Sequence, residues 1–498
     1  MSELENYFSQ FRKNIIGIDE TFESPYGKKK IIYADWIASG RLYKPIEEKI
    51  CETFGPLVGN THSESSVTGT TMTLAYHQAH QIIKEHVNAG KDDVIITAGS
   101  GMTTVVCKFQ RLLGLKVPEQ LVDYLKLPEE LKPVVFITHM EHHSNQTTWL
   151  ETIADVVVID PNDEGLVNIE DFKIKLEKYK NRRLKIGAFT AASNVTGIEP
   201  DYYELSKLIH QYGGYAFIDF ACAAPYVKID MHPADPAAKL DAIFFSPHKF
   251  LGGPATPGVL IFDSKLYHNK VPDLPGGGTV DWTNPWGQHK FVANIEARED
   301  GGTPAFLQTI KAALCIKLKD EMNVEKIRKR EEELLKIAFD RLKKIPTLHI
   351  LAANIEKRLG AISFYVENIH YNLIVTLLND RFGVQVRGGC SCAGTYGHYL
   401  LHVDPNRSKI ITDKIDQGDL SEKPGWVRMS IHPTMTDEEL ITALDGIFQI
   451  VENIDEWGRD YIYDKSKNEF FFKSFKGKDL EKIKKWFSIN SDNAVEVN

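Results

Sequence analysis

The run Ser246-Pro247-His248-Lys249-Phe250-Leu251-Gly252-Gly253-Pro254 sets a lysine between a histidine and a glycine-rich turn. It follows a short apolar run, Ala242 to Phe245, that reads as a buried strand. A lysine just past a strand end can form a Schiff base with pyridoxal phosphate (PLP), whose ring then serves as an electron sink. Thirty positions earlier, a second apolar run, Tyr215 to Ile218, ends in Asp219. A carboxylate there suits the pyridine nitrogen of such a cofactor, which must stay protonated for the ring to accept electrons. Taken singly, each residue has a plainer reading. Most lysines are solvated, and an aspartate after a strand is often a turn former or a helix cap. The order strand-Asp, then strand-His-Lys-Gly-Gly, favours the cofactor.

These residues need a scaffold, and the pattern between about 90 and 265 supplies one. Seven apolar runs alternate with helical patterns: 94–97, 134–137, 156–159, 186–189, 215–218, 242–245 and 258–261. Nearly continuous apolar strands imply burial on both faces, as in a mostly parallel sheet covered by helices. Ligands bind such sheets at the carboxyl ends of strands, where Asp219 and Lys249 both fall. The turn Thr97 to Thr104, between a strand and a helix, offers main-chain N–H groups to a phosphate, with Ser100, Gly101 and Met102 as the candidate contacts. Ser246 and His248 would add contacts from the lysine loop.

The glycine-rich stretch Pro275 to Thr279 reads as a loop, and a long helix follows from about Pro304 into Met322. The charged run Glu325 to Glu333 reads as a solvated helix face with opposite-charge pairs. From there a smaller α+β domain is expected, with strands at 358–366 and 384–387. The expected division is an N-terminal segment, 1–30, packing on the small domain; a large cofactor-binding domain, 31–325; the small domain, 326–455; and a C-terminal extension, 456–498. In that extension Leu480, Ile483, Trp486 and Phe487 recur at helical spacing. They suit a terminal helix packed on its own domain better than one lying on a membrane surface.

Composition narrows the class. The 498 residues are 43% hydrophobic and 26% charged, with a formal net charge of −9. That is ordinary for a soluble globular protein, and the length implies more than one domain. No basic stripe suggests nucleic acid, and no apolar run reaches membrane-spanning length. The polar start Met1-Ser2-Glu3-Leu4-Glu5 is no secretory signal, so a cytoplasmic enzyme is expected. Cys51, Cys107, Cys222 and Cys315 sit in apolar stretches and read as small core residues. No metal site is expected, since Glu141-His142-His143 lacks the helical spacing of a zinc motif.

Asp219, the His248-Lys249 pair, the segment Thr138 to Asn145 and the segment Ser193-Asn194-Val195-Thr196-Gly197 together resemble the class V aminotransferase-like PLP enzymes, nearest to cysteine desulfurases and selenocysteine lyases. The likeness spans roughly residues 30 to 450. It implies PLP-dependent transferase fold type I, which is aspartate-aminotransferase-like: a seven-stranded, mostly parallel sheet with a smaller α+β domain, in a homodimer. By the same resemblance His142 stacks on the cofactor ring, with proton transfer as a second role. Asn194 sits beside the phenolic oxygen, though an Asx turn is its plainer reading. Thr303 reaches the partner subunit's phosphate. Arg428 clamps the substrate carboxylate, and Arg387 and His62 lie near the substrate, with Ser39 at the entrance. Cys222 stands where glutamine is usual, which removes one hydrogen-bond donor to the cofactor.

The stretch Arg387-Gly388-Gly389-Cys390-Ser391-Cys392 falls where desulfurases carry a nucleophilic cysteine, and counting from the arginine selects Cys392. Its Cys-x-Cys spacing also resembles molybdenum cofactor sulfurases. A nearby arginine favours the thiolate. The expected activity is removal of sulfur from L-cysteine (or selenium from selenocysteine) to give alanine through an enzyme persulfide, with a sulfur-acceptor protein as partner. The alternatives are a class V enzyme acting on another amino acid as an aminotransferase, epimerase or lyase without a persulfide, or a sulfur-carrier or scaffold subunit that binds PLP poorly.

Overall fold

The computed structural model describes residues 2–61, 65–474 and 480–489. The seven apolar runs form one sheet. In chain order its strands are β1 (Asp93–Ala98), β2 (Val134–Thr138), β3 (Asp155–Ile159), β4 (Lys185–Thr190), β5 (Tyr215–Asp219), β6 (Ala242–Phe245) and β7 (Gly258–Asp263). Their spatial order is β1-β7-β6-β5-β4-β2-β3. The strands β2 to β6 run parallel, while β7 is antiparallel to both its neighbours.

Alternation along β5 and β6 explains why the runs are apolar throughout. Ala216, Ile218, Ile243 and Phe245 enter one core; Phe217, Ala242 and Phe244 enter another on the opposite face. The helix α2 (Met102–Leu112) covers the second face with Val105, Val106 and Phe109, and α3 (Tyr202–Gln211) covers the first with Leu205, Leu208 and Ile209. Register then aligns the functional ends: Thr190 pairs with Asp219, and Asp219 with Phe244.

After α4 (Phe306–Met322) and α5 (Val324–Leu342), a four-stranded antiparallel sheet follows. Its strands are β8 (Leu348–Ile350), β9 (Ala361–Val366), β10 (Arg387–Gly389) and β11 (Trp426–Ser430), in the order β8-β9-β11-β10. The expected strand 384–387 is divided. Val384 and Gln385 pair in parallel with Ile32 and Tyr33, and only then does the chain enter β10 beside β11. The N-terminal helix α1 (Glu3–Arg12) is tied by a two-pronged bond from Arg12 to Glu439, at 2.8 and 2.6 Å.

The charged run in α5 is not wholly solvated. Arg330 and Glu331 are each 1% exposed, because helical period puts them on the apolar face with Ile327, Leu334 and Leu335. Arg330 donates to Asp437 at 2.8 Å, and Glu331 accepts from the amide of Gly360 at 3.1 Å. Cys51 is exposed rather than in the core. The C-terminal helix Leu480–Lys485 has only six residues, too few for a continuous apolar stripe, and Leu480, Trp486 and Phe487 stay exposed rather than packed. Among the described residues no helix is long and apolar enough to cross a membrane.

Candidate active site

The carboxyl ends of the parallel strands open into a cavity of about 320 Å³, a size suited to a small ligand. Lining it are Lys249, Asp219, His142, Asn194, Ser100, Gly101, Met102, Cys222, Ser246, His248, Arg387, Arg428 and Cys392. Of the expected contacts, Thr303 lies outside it, exposed, with its hydroxyl 3.4 Å from Asn60 Oδ1. Ser39 does not line it either, and its hydroxyl turns back on the carbonyl of Gly40. His62 lies outside the described residues.

Lys249 ends a single 3₁₀ turn, Pro247–Lys249, directly after β6. Proline at its start fixes φ and has no N–H to leave unpaired. Lys249 Nζ has no hydrogen-bond partner among the described residues. Burial pushes its pKa below the ordinary lysine range, against the pull of Cys222 and Asp219. An uncharged amine is the nucleophilic form. Asp219 is buried at the end of β5, with Oδ1 accepting from the amide of Ala221 at 2.8 Å. Burial raises its pKa to about 6, opposed by that amide and by Lys249.

The phosphate turn differs in detail from expectation. The amide of Met102 donates to Ser246 Oγ at 2.8 Å, so it is already used. The Ser246 hydroxyl keeps its own proton to give, and the Thr103 amide in the first turn of α2 is also available, whereas that of Thr104 donates to the Gly101 carbonyl at 3.2 Å. His248 Nδ1 donates to the carbonyl of Ser100 at 3.1 Å. A neutral ring with its proton there has only a lone pair left at Nε2, so His248 braces the turn rather than donating to a phosphate. Gly99 has φ +59, and a Cβ there would strike Thr104 at 2.4 Å; a Cβ on Gly101 would crowd Ser246 Oγ at 3.2 Å.

Glu141 was missed in the sequence and organises the neighbouring loop. Its Oε1 accepts from Thr138 Oγ1 at 2.7 Å and the Thr190 amide at 2.9 Å, and Oε2 accepts from Asn145 Nδ2 at 2.8 Å. These bonds fix the residue next to it, His142, over the cavity. His142 Nδ1 accepts from the Ser144 amide at 3.0 Å, and burial, then the charge of Lys249, pulls its pKa to about 3. The ring is therefore neutral, with Nδ1 as acceptor and its proton on Nε2.

Cys222 is buried, with a thiol pushed up to about 11, and its Sγ lies 3.8 Å from the carbonyl of Ser193. Such a thiol is inert. Arg428 donates to the carbonyl of Asn194 at 3.1 Å and to Asp35 Oδ1 at 2.7 Å, while Arg387 Nε meets Asp35 Oδ2 at 3.1 Å. Asp35 is a second residue that sequence reasoning missed. It stands in Tyr33-Ala34-Asp35-Trp36, where only a carboxylate amid aromatics hinted at a role.

Cys392 is exposed, and both it and Ser391 have left-handed backbones, with φ +56 and +51. Two such non-glycine residues in a row hold strain that surrounding bonds must offset. Asn194 Nδ2 donates to the carbonyl of Ser391 at 2.6 Å, and His143 N–H to that of Cys392 at 2.8 Å. Cys390 is half-buried and lies outside the lysine cavity.

The residues fit PLP. A buried lysine without a hydrogen-bond partner, a dry carboxylate and a glycine turn with a free hydroxyl and free amides are the complement of its aldehyde, pyridine nitrogen and phosphate. Asn194 Oδ1 and Arg428 Nε are buried at the cavity wall without partners, as expected of groups that a polar ligand satisfies.

A model of the family described as aminotransferase class-V matches residues 32–442. A protein named probable cysteine desulfurase from Halalkalibacterium halodurans is 27% identical over 371 residues, covering 73% of this chain and 84% of that one. A protein of the same name from Staphylococcus epidermidis is 26% identical over 377 residues, covering 74% and 85%. In fold the chain is similar to an apo cysteine desulfurase from Thermococcus onnurineus NA1, with TM-score 0.71, 22% identity, and coverage of 89% and 98%. It is also similar to a cysteine desulfurase from Escherichia coli, with TM-score 0.69, 21% identity and the same coverage.

Proposed function

Because this chain belongs to the aminotransferase class-V family, whose enzymes work with PLP, we propose that it is a cysteine desulfurase. It would take sulfur from L-cysteine, release alanine, and carry the sulfur as a persulfide on Cys392. One observation carries the reading: an exposed cysteine borders the same cavity as Lys249, whose burial favours the nucleophilic amine. That is the pairing which sulfur transfer needs.

The cofactor, when bound, supplies an electron sink for the substrate α-carbon. Lys249 would hold it by its aldehyde and then serve as the base that takes the α-proton. The Asp219 carboxylate would keep the proton on the pyridine nitrogen. Ser246 Oγ and the free amides before α2 would bind the phosphate, and the neutral His142 ring would cover the cofactor face and exclude water. Asn194 Oδ1 is free to accept from the phenolic hydroxyl. Arg428 would hold the substrate carboxylate with its unpartnered Nε, which orients the sulfur toward Cys392. The Cys392 thiolate would then attack that sulfur: the S–S bond forms as the carbon–sulfur bond breaks, its electron pair stays with the β-carbon, which takes a proton from solvent, and Lys249 returns the α-proton, giving alanine.

A homodimer accords with Thr303 standing exposed beside the hairpin of strands Val280–Thr283 and His289–Phe291, where Trp282 and Trp286 are also exposed. The Gly302 amide donates at 2.9 Å to the carbonyl of Gly277, in the loop that leads into this hairpin. Cys392 and Cys390 also border a second, wider cavity, which would give a sulfur-acceptor protein access to the persulfide.

The test is alanine and sulfide release from L-cysteine with a thiol reductant, for the natural holoenzyme and Cys392→Ala. A loss of about two orders of magnitude in Cys392→Ala is expected. Equal rates would remove the persulfide step.

A further inference from the structure

Arg387 and Arg428 stand directly opposite each other across β10 and β11. Like charges so placed on a sheet repel. Asp35 relieves this by bonding one arginine with each carboxylate oxygen, Oδ1 to Arg428 and Oδ2 to Arg387. Its backbone is held independently of both: it bridges to Ser430, and the Tyr33 hydroxyl donates to its carbonyl at 3.2 Å. The Asp35 side chain is 15% exposed, that of Arg428 3% and that of Arg387 46%. Both arginines press the Lys249 amine toward its uncharged form, so their field reaches the centre of the cavity.

We propose that Asp35 sets the charge selectivity of this pocket. It cancels one of two guanidinium charges, so the wall presents a net single positive charge. That suits an amino acid with one carboxylate and disfavours one with a second anionic group on its side chain. Without Asp35, a dicarboxylic amino acid would find a guanidinium for each end. Asp35 acts through the arginines and is a positioning residue. The inference rests on the reading of the cavity as an amino-acid site, with Arg428 as its carboxylate contact, and is independent of the persulfide step.

The holoenzyme and its variants are titrated with L-alanine and L-aspartate, and Kd for each is read from the change in cofactor absorbance. Removing one charge a few ångströms away, at an effective dielectric constant of about 20, moves relative affinity by about tenfold or more. In Asp35→Asn, aspartate gains at least tenfold over alanine. Asp35→Glu keeps the wild-type ratio, and Asp35→Asn with Arg387→Gln brings the ratio back toward it. Arg387→Gln alone, with Asp35 intact, moves the ratio the other way and tests the idea even where Asp35→Asn misfolds. A ratio within twofold of wild type in Asp35→Asn, or an equal shift in Asp35→Glu, overturns the charge role alone. A wild-type spectrum indifferent to every amino acid tried, cysteine included, overturns the amino-acid site and this inference with it.

Discussion

His143 holds the loop of Cys392 from both sides. Its main-chain N–H donates to the Cys392 carbonyl at 2.8 Å, and its ring Nε2 accepts from the Gly394 amide at 2.9 Å. Accepting at Nε2 requires that nitrogen to be unprotonated. Burial, then the charge of Lys423, holds the ring below the ordinary histidine range, so the latch stays closed at neutral pH.

In His143→Ala the backbone half of this latch remains and the ring half is lost. The thiol then samples more positions, and near-attack geometry is rarer. Alanine release from cysteine should fall about tenfold, with the cofactor absorbance unchanged. A variant with full activity would show that the ring does not position the thiol.

Cofactor affinity should depend on Asp219. Burial pushes its carboxyl up from its ordinary value to about 6. Above that pH it is charged and can pair with a protonated pyridine nitrogen. As pH falls through 6 it gains a proton and the pair is lost. Binding of PLP to the apo protein between pH 5 and 8 should therefore weaken below 6 more steeply, by one proton, in the natural chain than in Asp219→Asn. Parallel curves would place the pairing elsewhere.

The fold was legible because two-sided burial leaves an unbroken apolar run, and all seven such runs entered the sheet. Asp219 was legible because it immediately follows one of those runs, and Lys249 because it stands four residues past the end of another, before a glycine-rich turn. Glu141 and Asp35 were not, because their partners are distant in sequence: Thr190 for one, Arg387 and Arg428 for the other. A lone carboxylate carries no local pattern. The burial of Arg330 and Glu331 was hidden for a related reason. Opposite charges at helical spacing look alike whether they face water or a second helix. The use of the Met102 amide by Ser246 joins residues 144 positions apart, which no local reading reaches.

Thiol exposure predicts an order of alkylation. Cys51 and Cys392 are exposed, Cys107 and Cys390 are partly covered, and Cys222 and Cys315 are buried with thiols pushed up by burial. Iodoacetamide, followed by peptide mass spectrometry, should label Cys392 and Cys51 first and Cys390 later. Cys222 and Cys315 should react only on unfolding. Labelling of Cys390 ahead of Cys392 would reverse the assignment of the nucleophile.

Glu141 joins the ends of β2 and β4, and its removal should be felt in stability before chemistry. Glu141→Ala strands the Thr190 amide and one of the two Asn145 Nδ2 protons, the other being held by the carbonyl of Ala188. Each buried orphan costs about 1–3 kcal/mol, so a loss of about 3 kcal/mol or more is expected in denaturant unfolding. Glu141→Gln keeps one oxygen but turns an N–H toward the Asn145 donor, so it should lose less. The pH dependence separates charge from shape. Burial raises the Glu141 carboxyl to about 8. A carboxyl raised above its unfolded value binds its proton more tightly in the folded chain. Its stabilising contribution is full below the unfolded value of 4.5 and is lost as pH climbs through 8. Glutamine has no such proton, so the deficit of Glu141→Gln against the natural chain should shrink between pH 6 and pH 8, by about 1–2 kcal/mol. A deficit that stays constant, or grows, would mean that this carboxylate remains charged throughout and that its donors outweigh the cost of burying it.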